Sequence, residues 1–461
     1  MDLSAISASV GEFLTPYMDL GALFMIFIVF TVIGLIIGLG PLNAIRNGLM
    51  VAVGFNGVYI IVDFFINAIT PAATILCEKF GGVFTFTDVG WGAMAAVAWS
   101  NPIAYAIVIF SVLLNLILVF ANLTDTINLN IWDLWEANFC ALIVLALGGS
   151  FIAALVVGLC WSVISLYLAD WFGHKGYSSD FYGFPNITLY QGVNDIWGPF
   201  GYAVSLVLDK IPGLQSSKYT PEFIQEKFGV IGEPAVLGGL IGLLMGIAAG
   251  LWWGDIVMLM INLATGLVII PMMSGIVMQA LVPVSEAASA LLQKKTGGRD
   301  LFIGVDCAIA VGHTSVLAVT TLMIPLMVLF AFIIPGTVFM PLADLPSLLF
   351  FWVYIVAPNH GDIVRCLIAC ILGGLIVTVL MIKLAPWSAA ACAYQGVGGG
   401  KSSATFLGFC PDMWVTGWIS EKFTDAGIII FMVVLTVLAT VLDAIVKANR
   451  KKAVKEAASA D

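Results

Sequence analysis

The stretch Gly304–Thr314, which reads GVDCAIAVGHT, puts a carboxylate and an imidazole next to the charge-free run Val316–Ile334. About 20 apolar residues can cross a bilayer as a helix, and ionisable groups at that depth usually face a bundle interior or a water-filled cavity. If the stretch is helical, Asp306 and His313 are two turns apart and share a face. We therefore expect these two side chains to mark a polar site inside a membrane protein.

The composition of the whole chain also indicates a membrane protein. Of 461 residues, 61% are hydrophobic and only 10% are charged, whereas a soluble domain carries about 25% charged residues. This predicts an all-α polytopic membrane protein that forms a single integral membrane domain over residues 1–461. The net charge of -10 and the lack of a basic patch before the tail argue against nucleic-acid binding. The eight cysteines contain no CxxC pair, so we expect buried thiols and neither a metal site nor a disulfide framework.

Several further charge-free runs are long enough to span a membrane. They are Leu20–Leu39, Ile103–Phe120, Phe139–Leu168, Ile256–Met278 and Ala426–Leu442. Weaker or interrupted candidates are Gly48–Ile69, Ala235–Trp253, Leu345–Ala357 and Leu367–Ile382. Basic residues concentrate in the tail 447–461, which places the C-terminus in the cytoplasm and the N-terminus outside. The number of spans is then odd, and about eleven transmembrane helices fit best.

A weak internal repeat relates residues of about 41–165 to residues of about 253–378. Four short blocks match in the same order, including Val89-Gly90-Trp91 with Ile303-Gly304-Val305 and Asn130–Leu134 with Ala343-Asp344-Leu345. Copies with an odd number of spans are inverted, and interrupted segments at matching positions indicate a transporter whose site lies at the repeat interface. We expect such segments to form re-entrant hairpins, although chance similarity between apolar helices is an alternative.

Polar groups beside the predicted breaks are the candidates for substrate binding. Carboxylates accept hydrogen bonds from hydroxyls, and imidazole and amide groups donate or accept them. The candidates are Asp306, His313, Thr314, Gln191, Asn194, Glu233, Asn359, His360, Trp91 and Asn101. Most of them also have a structural interpretation. Asp306 and His313 could form a helix cap or an ion pair, and the amide residues could lie in turns or surface loops. Glu233 could be an acid at a helix N-terminus, and Trp91 could anchor the chain at the membrane interface.

At these motifs the chain resembles enzyme IIC, the sugar-specific permease of the bacterial phosphotransferase system, in the galactitol branch of the ascorbate–galactitol group. The motifs are Asp88-Val89-Gly90-Trp91, Asn130-Ile131-Trp132-Asp133, Gly198-Pro199, Lys210-Ile211-Pro212-Gly213, Lys227-Phe228-Gly229, Gly232-Glu233-Pro234, Gly304-Val305-Asp306 and Gly312-His313-Thr314. They run in one order over nearly the whole chain.

The resemblance implies a permease in the bacterial inner membrane that needs no cofactor. It would carry a polyol inward by an elevator movement of a mobile core against a scaffold, as a homodimer surrounded by lipid. A separate cytoplasmic enzyme IIB, supplied by enzyme IIA, would phosphorylate the polyol from a phosphocysteine, so no catalytic residue is expected in this chain. The stretches Tyr190–Asn194, Asn359–Asp362 and Gly92-Ala93 depart from the galactitol-type pattern. Another hexitol, a pentitol or a sugar therefore remains open as the substrate.

The residues also permit a transporter of another class. An ion-coupled secondary transporter of a sugar, polyol or ascorbate-like substrate would use Asp306, Glu233 or Asp63 to carry a proton or a sodium ion. Uptake driven by an ion gradient without enzyme IIB would favour that interpretation.

Overall fold

The computed structural model describes residues 22–36, 38–80, 85–215, 219, 234–266, 268–269, 272–273, 276, 301–341, 344–396 and 403–458. The α-helices in these ranges are α1 Ala22–Ile36, α2 Pro41–Phe80, α3 Gly90–Trp99, α4 Ile103–Phe120, α5 Trp135–Ala146, α6 Phe151–His174, α7 Trp197–Leu208, α8 Pro234–Ala249, α9 Trp253–Gly266, α10 Thr314–Ile333, α11 Leu348–Val356, α12 Ile363–Tyr394, α13 Pro411–Lys422 and α14 Asp425–Ala458. Five short strands are interspersed: β1 Phe86–Asp88, β2 Thr126–Asn128, β3 Ile187–Leu189, β4 Phe302–Val305 and β5 Ser403–Thr405.

Five of the described helices are long and apolar enough to cross a membrane, namely α4, α6, α10, α12 and residues 425–449 of α14. Helix α4 has the bounds predicted from the sequence. The helical, multi-pass architecture agrees with the prediction, and the count of eleven spans stays a prediction. The five strands were not anticipated by the all-α assignment.

The apolar run Phe139–Leu168 forms two helices, so its prediction as one span was wrong. Helix α5 ends at Ala146, Gly148 takes a left-handed φ of +89°, and the Ser150 hydroxyl accepts a hydrogen bond from the N–H of Ala153 at the start of α6. A glycine in the left-handed region and a serine cap are common ways to end one helix and begin another. The short helix α5 is therefore a buried half-length element.

The two halves of the chain share an order of elements. In the first half, α4 is followed by a 3-10 turn at Trp132–Leu134, the short helix α5 and the long helix α6. In the second half, α10 is followed by a 3-10 turn at Leu345–Ser347, the short helix α11 and the long helix α12. All residues of α11 are buried, as are most of those of α5, so the short helices form the centre of the core. The repeat and its inversion stay predictions.

The strands form two small parallel sheets that link distant parts of the chain. One sheet has the order β2-β4-β3, with Thr126 opposite Phe302 and Ile187 opposite Ile303, and the other pairs β1 with β5. In parallel pairs the carboxyl ends of the strands lie at the same edge. Each sheet therefore brings together the segments that follow its strands.

A group of charged residues fastens α14 to α6 and to the loop before β2. The Lys447 Nζ lies 2.9 Å from Asp170 Oδ2, 2.8 Å from Asp443 Oδ2 and 3.3 Å from Asp125 Oδ2. The His174 Nε2 lies 2.9 Å from Asp125 Oδ2. We call Asp125, Asp170, His174, Asp443 and Lys447 the Lys447 cluster.

Candidate functional site

A partly open cavity lies beyond the carboxyl ends of the five described strands, with about 460 Å³ of empty space that includes open solvent. One lining residue or group follows each strand: Trp91 after β1, Asp133 after β2, Gln191 and Asn194 after β3, Asp306 after β4, and Phe406, Gly408, Phe409 and Cys410 after β5. The remaining lining residues are Trp135, Glu136, Asp344, Ser347, Phe350 and Phe351, from the turns and short helices of both halves.

Aromatic rings form one part of the cavity wall. Trp91 contacts Trp135 with ring centroids 6.2 Å apart and Phe350 with centroids 6.1 Å apart. Phe351 stacks on Phe409. Rings locked against one another in this way present fixed apolar faces, which suit the C–H groups of a carbohydrate or polyol.

Carboxylates and amides form the other part of the wall. The Asn194 side-chain amide donates a hydrogen bond to Glu136, and the Asn130 amide donates to Asp133 and to the carbonyl of Tyr190. The Cys307 thiol donates to the Gln191 side-chain oxygen over 2.8 Å. These contacts fix the orientation of the polar groups before any ligand arrives, which lowers the entropic cost of binding.

Asp344 lies at the edge of the cavity and bridges the segments that follow the paired strands β1 and β5. Its Oδ1 accepts a hydrogen bond from the Trp91 N–H over 2.8 Å, and its Oδ2 accepts one from the Leu407 N–H over 2.6 Å. Its own N–H donates to Asp88, which also caps the N–H of Gly90. Asp344 therefore positions the segments after β1 and β5.

The acidic groups in the turns after β2 and β3 resist ionisation. Asp133 and Asp195 lie in the 3-10 turns Trp132–Leu134 and Asn194–Ile196, outside the five candidate spans. Burial raises the pKa of Asp133 well above its usual value, and the charge of Asp306 raises it further. Burial also raises the pKa of Asp195. A carboxyl group with a raised pKa can donate as well as accept a hydrogen bond, which suits a ligand rich in hydroxyls.

The structure brings four of the sequence-predicted residues together in the cavity wall: Trp91, Gln191, Asn194 and Asp306. Asp306 is 7% exposed and its Oδ1 accepts a hydrogen bond from the Ala308 N–H. Glu233 lies outside the described residues, and so does the side chain of Asp63.

The structure places Asp306 and His313 in different elements, so the expectation that they share a helical face was wrong. Between them the chain runs through a 3-10 turn at Cys307–Ile309, and α10 begins only at Thr314. His313 caps α10 by accepting from the Ser315 N–H, and its ring packs against Phe181 with centroids 4.7 Å apart. Neither His313 nor Thr314 is among the residues that line the cavity.

The other predicted residues have structural contacts away from the cavity. The Asn101 side chain accepts from the Ile103 N–H at the start of α4. Asn359 is fully buried and donates to the carbonyls of Ile355 and Gly201. His360 is exposed in a left-handed turn with φ of +56°. None of these three lines the cavity.

The sequence reasoning did not select several acidic lining residues. Asp133 and Asp344 lie in the blocks that matched in the repeat, and that match was the signal that could have identified them. Glu136 gave no such signal, because it precedes an apolar run that looks like an ordinary span. Cys410 was expected to be a buried thiol, and it is buried while also lining the cavity.

Comparison of the sequence with known proteins identifies a family that the chain matches. Residues 17–401 match the family model of the sugar-specific permease component of the phosphotransferase system, EIIC-GAT. The chain is 30% identical over 425 residues to the Escherichia coli K12 protein named "Putative permease IIC component", covering 92% of this chain and 97% of that protein. It is 29% identical over 359 residues to the galactitol-specific EIIC components of Escherichia coli K12 and O157:H7, covering 78% of this chain and 79% of each relative.

Proposed function

This chain belongs to the family of sugar-specific permease components of the phosphotransferase system, and we propose that it translocates a polyol such as galactitol inward. The observation that carries the proposal is the cavity wall, which combines rigid aromatic faces with carboxylate and amide groups. We assign substrate contact to Trp91, Gln191, Asn194 and Asp306, together with Asp133, Glu136 and Asp344.

The chemistry of the wall favours a neutral, hydroxyl-rich ligand. Hydroxyl groups donate to carboxylates and accept from amides and protonated carboxyls, while the carbon chain packs on the rings. Among the described residues, the cavity lining includes four acids and no Lys, Arg or His. An anionic substrate such as an ascorbate-like acid would find no cationic side chain among the described lining residues, and any ionised carboxylate there would repel it. A polyol therefore fits this wall better than an anion does.

The transport step that we propose is an elevator movement. The cavity is bordered by segments from both halves of the chain, and we assign these segments to a mobile core that carries the polyol past a scaffold, within a homodimer. The basic tail supports a cytoplasmic C-terminus. A cytoplasmic enzyme IIB, recharged by enzyme IIA, then phosphorylates the polyol. The phosphoryl group traps the product inside, so no ion gradient is required.

Transport in vesicles tests this proposal. The full chain is reconstituted with enzymes IIA and IIB, the general phosphotransferase proteins and phosphoenolpyruvate, and the uptake of labelled galactitol and other polyols is followed. We expect polyol phosphate to accumulate only when enzyme IIB is present, and ascorbate not to compete. Accumulation of unmodified polyol driven by a proton or sodium gradient without enzyme IIB would contradict the proposal and favour a secondary transporter.

A further inference from the structure

We propose that Glu136, Cys410 and Asp412 form a binding site for a transition-metal ion of the zinc type. One ligand atom of each side chain lies within 4.8 Å of the others, and all three side chains are buried. Glu136 lies on α5, whereas Cys410 and Asp412 lie two residues apart at the start of α13, so the fold brings two distant parts of the sequence together. The site shares Glu136 and Cys410 with the cavity lining, but the proposal does not rest on the transport activity.

Unpartnered buried atoms are the second observation at this site. One oxygen of Glu136, one oxygen of Asp412 and the side-chain oxygen of Asn194 have no hydrogen-bond partner among the described residues. All three side chains are 1% exposed. An unsatisfied buried polar atom costs free energy, and a bound cation would satisfy several such atoms at once. Asn194 adjoins the group because its amide donates to Glu136.

The two carboxyl groups of the site also lack an ion-pair partner among the described residues. The ion pairs found within the described ranges involve Asp125, Asp170, Asp209 and Asp443, and none involves Glu136 or Asp412. Buried carboxylates are ordinarily protonated, paired or bound to metal. Two carboxylates and a thiol can lose protons when a metal ion binds, and they then provide its neutralising charge.

The ligand types select the kind of metal. A second thiol, that of Cys140, lies 3.3 Å from Asp412 Oδ2, so the surroundings offer two sulfurs and two carboxylates. Calcium needs about 6–8 oxygen ligands and magnesium a near-octahedral oxygen shell, more oxygen than this group supplies. Zinc takes four ligands from cysteine, histidine and carboxylate groups, and thiolates favour softer ions.

The three ligand atoms must move only slightly closer together to bind a zinc ion. Zinc bonds of about 2.0–2.3 Å in a tetrahedral arrangement put neighbouring ligand atoms roughly 3.3–3.8 Å apart, so the group must contract by about 1 Å. Glu136 and Cys410 also line the main cavity. A metal ion at this site and a ligand in the cavity would therefore share two side chains, and their affinities would be thermodynamically linked.

Cobalt binding to the full chain, purified without a histidine tag, tests the site. Cobalt(II) replaces zinc in such sites, and a thiolate ligand produces a charge-transfer absorption band. We expect a band that saturates at one ion per chain, grows with rising pH because the ligands must lose protons, and disappears on addition of zinc. Absence of the band at saturating cobalt would overturn the proposal, whether or not the same preparation binds galactitol.

Substitutions of single residues test which side chains bind the metal ion. We expect Cys410→Ser to abolish the band and Asp412→Asn to lower zinc affinity by at least about 10-fold, since even changes outside the first coordination shell cost this much. Cys366→Ser, a buried thiol on α12 outside the cavity lining, should keep the band. If Cys410→Ser retains it, the assignment is wrong.

A measurement on the wild-type chain tests the site even if the substituted chains do not fold. X-ray absorption of the zinc-loaded wild-type chain should give a shell that contains sulfur at about 2.3 Å together with oxygen. A shell of oxygen and nitrogen alone would contradict the proposal.

Discussion

Two groups of buried carboxylates in this molecule differ in what surrounds them. In the Lys447 cluster, Asp125, Asp170 and Asp443 share the ammonium of Lys447, and His174 adds a further contact. In the cavity wall, Asp133, Glu136 and Asp344 are held by amide and backbone N–H donors, and no ion pair to them occurs among the described residues. The first group joins helices, whereas the second keeps polar capacity for a ligand.

The difference has an energetic basis. A buried ion pair satisfies its own charge, and its removal leaves an uncompensated partner. Carboxylates held only by neutral donors keep part of their hydrogen-bonding capacity, at a cost in stability that a bound ligand can offset. Substitutions in the Lys447 cluster should therefore change stability first, and substitutions in the cavity wall should change ligand affinity first.

The largest effect on stability is expected for Lys447→Met. Loss of the ammonium leaves Asp170 fully buried and Asp443 nearly so without their partner, and breaking a buried pair costs about 3–5 kcal/mol. The midpoint of thermal unfolding in detergent should fall markedly. The exposed Lys422 provides the control, because Lys422→Met should leave the midpoint nearly unchanged. Equal midpoints for the two variants would remove the distinction between the groups.

A smaller effect is expected for Gly192→Ala, next to the lining residue Gln191. Gly192 has a left-handed φ of +58°, and an added Cβ would collide with the Glu136 carboxylate. The left-handed conformation costs a non-glycine residue roughly 1–2 kcal/mol. Gly183 has φ of +79° with open space around its Cβ position, so Gly183→Ala carries the strain without the collision. Only Gly192→Ala should also weaken polyol binding, as measured by titration calorimetry; equal affinities in the two variants would place Glu136 outside the site.

The smallest effect is expected for Trp91→Leu. Trp91 lines the cavity against Trp135, whereas Trp99 stacks on Trp132 and is not among the lining residues. Loss of an aromatic contact costs about 0.5–1.5 kcal/mol, so polyol affinity should fall by several-fold in Trp91→Leu. Trp99→Leu should keep wild-type affinity. Loss of affinity in Trp99→Leu but not in Trp91→Leu would indicate that the aromatic wall has been assigned to the wrong tryptophan.

Periodicity and length predicted the long helices well. Helix α4 follows directly from the run Ile103–Phe120, because an uninterrupted apolar run has one simple conformation in a membrane. The break at Gly148 was missed because a short helix followed by a long one has the same composition as one uninterrupted apolar run. Asp306, Gln191 and Asn194 were found because polar residues stand out in an apolar chain.

The rest of the site depends on contacts between distant residues. Each strand has three or four residues, too few for an alternating pattern, and each pairs with a partner far away in the sequence. The parallel pairing decides which segments meet at the cavity, and no local propensity encodes it. His313 was selected for its chemistry, but its position as the cap of α10 could be known only after the turn at Cys307–Ile309 was seen.

The most direct test of the account is a calorimetric titration of galactitol into the purified full chain and two variants. Asp306→Asn keeps an acceptor for the Ala308 N–H but loses the charge, and His313→Asn keeps a good cap for α10. We expect Asp306→Asn to weaken binding by about 10–100-fold, the value of hydrogen bonds to a charged group, and His313→Asn to leave it unchanged. Unchanged affinity in Asp306→Asn, or loss of affinity only in His313→Asn, would contradict the assignment of the cavity as the polyol site.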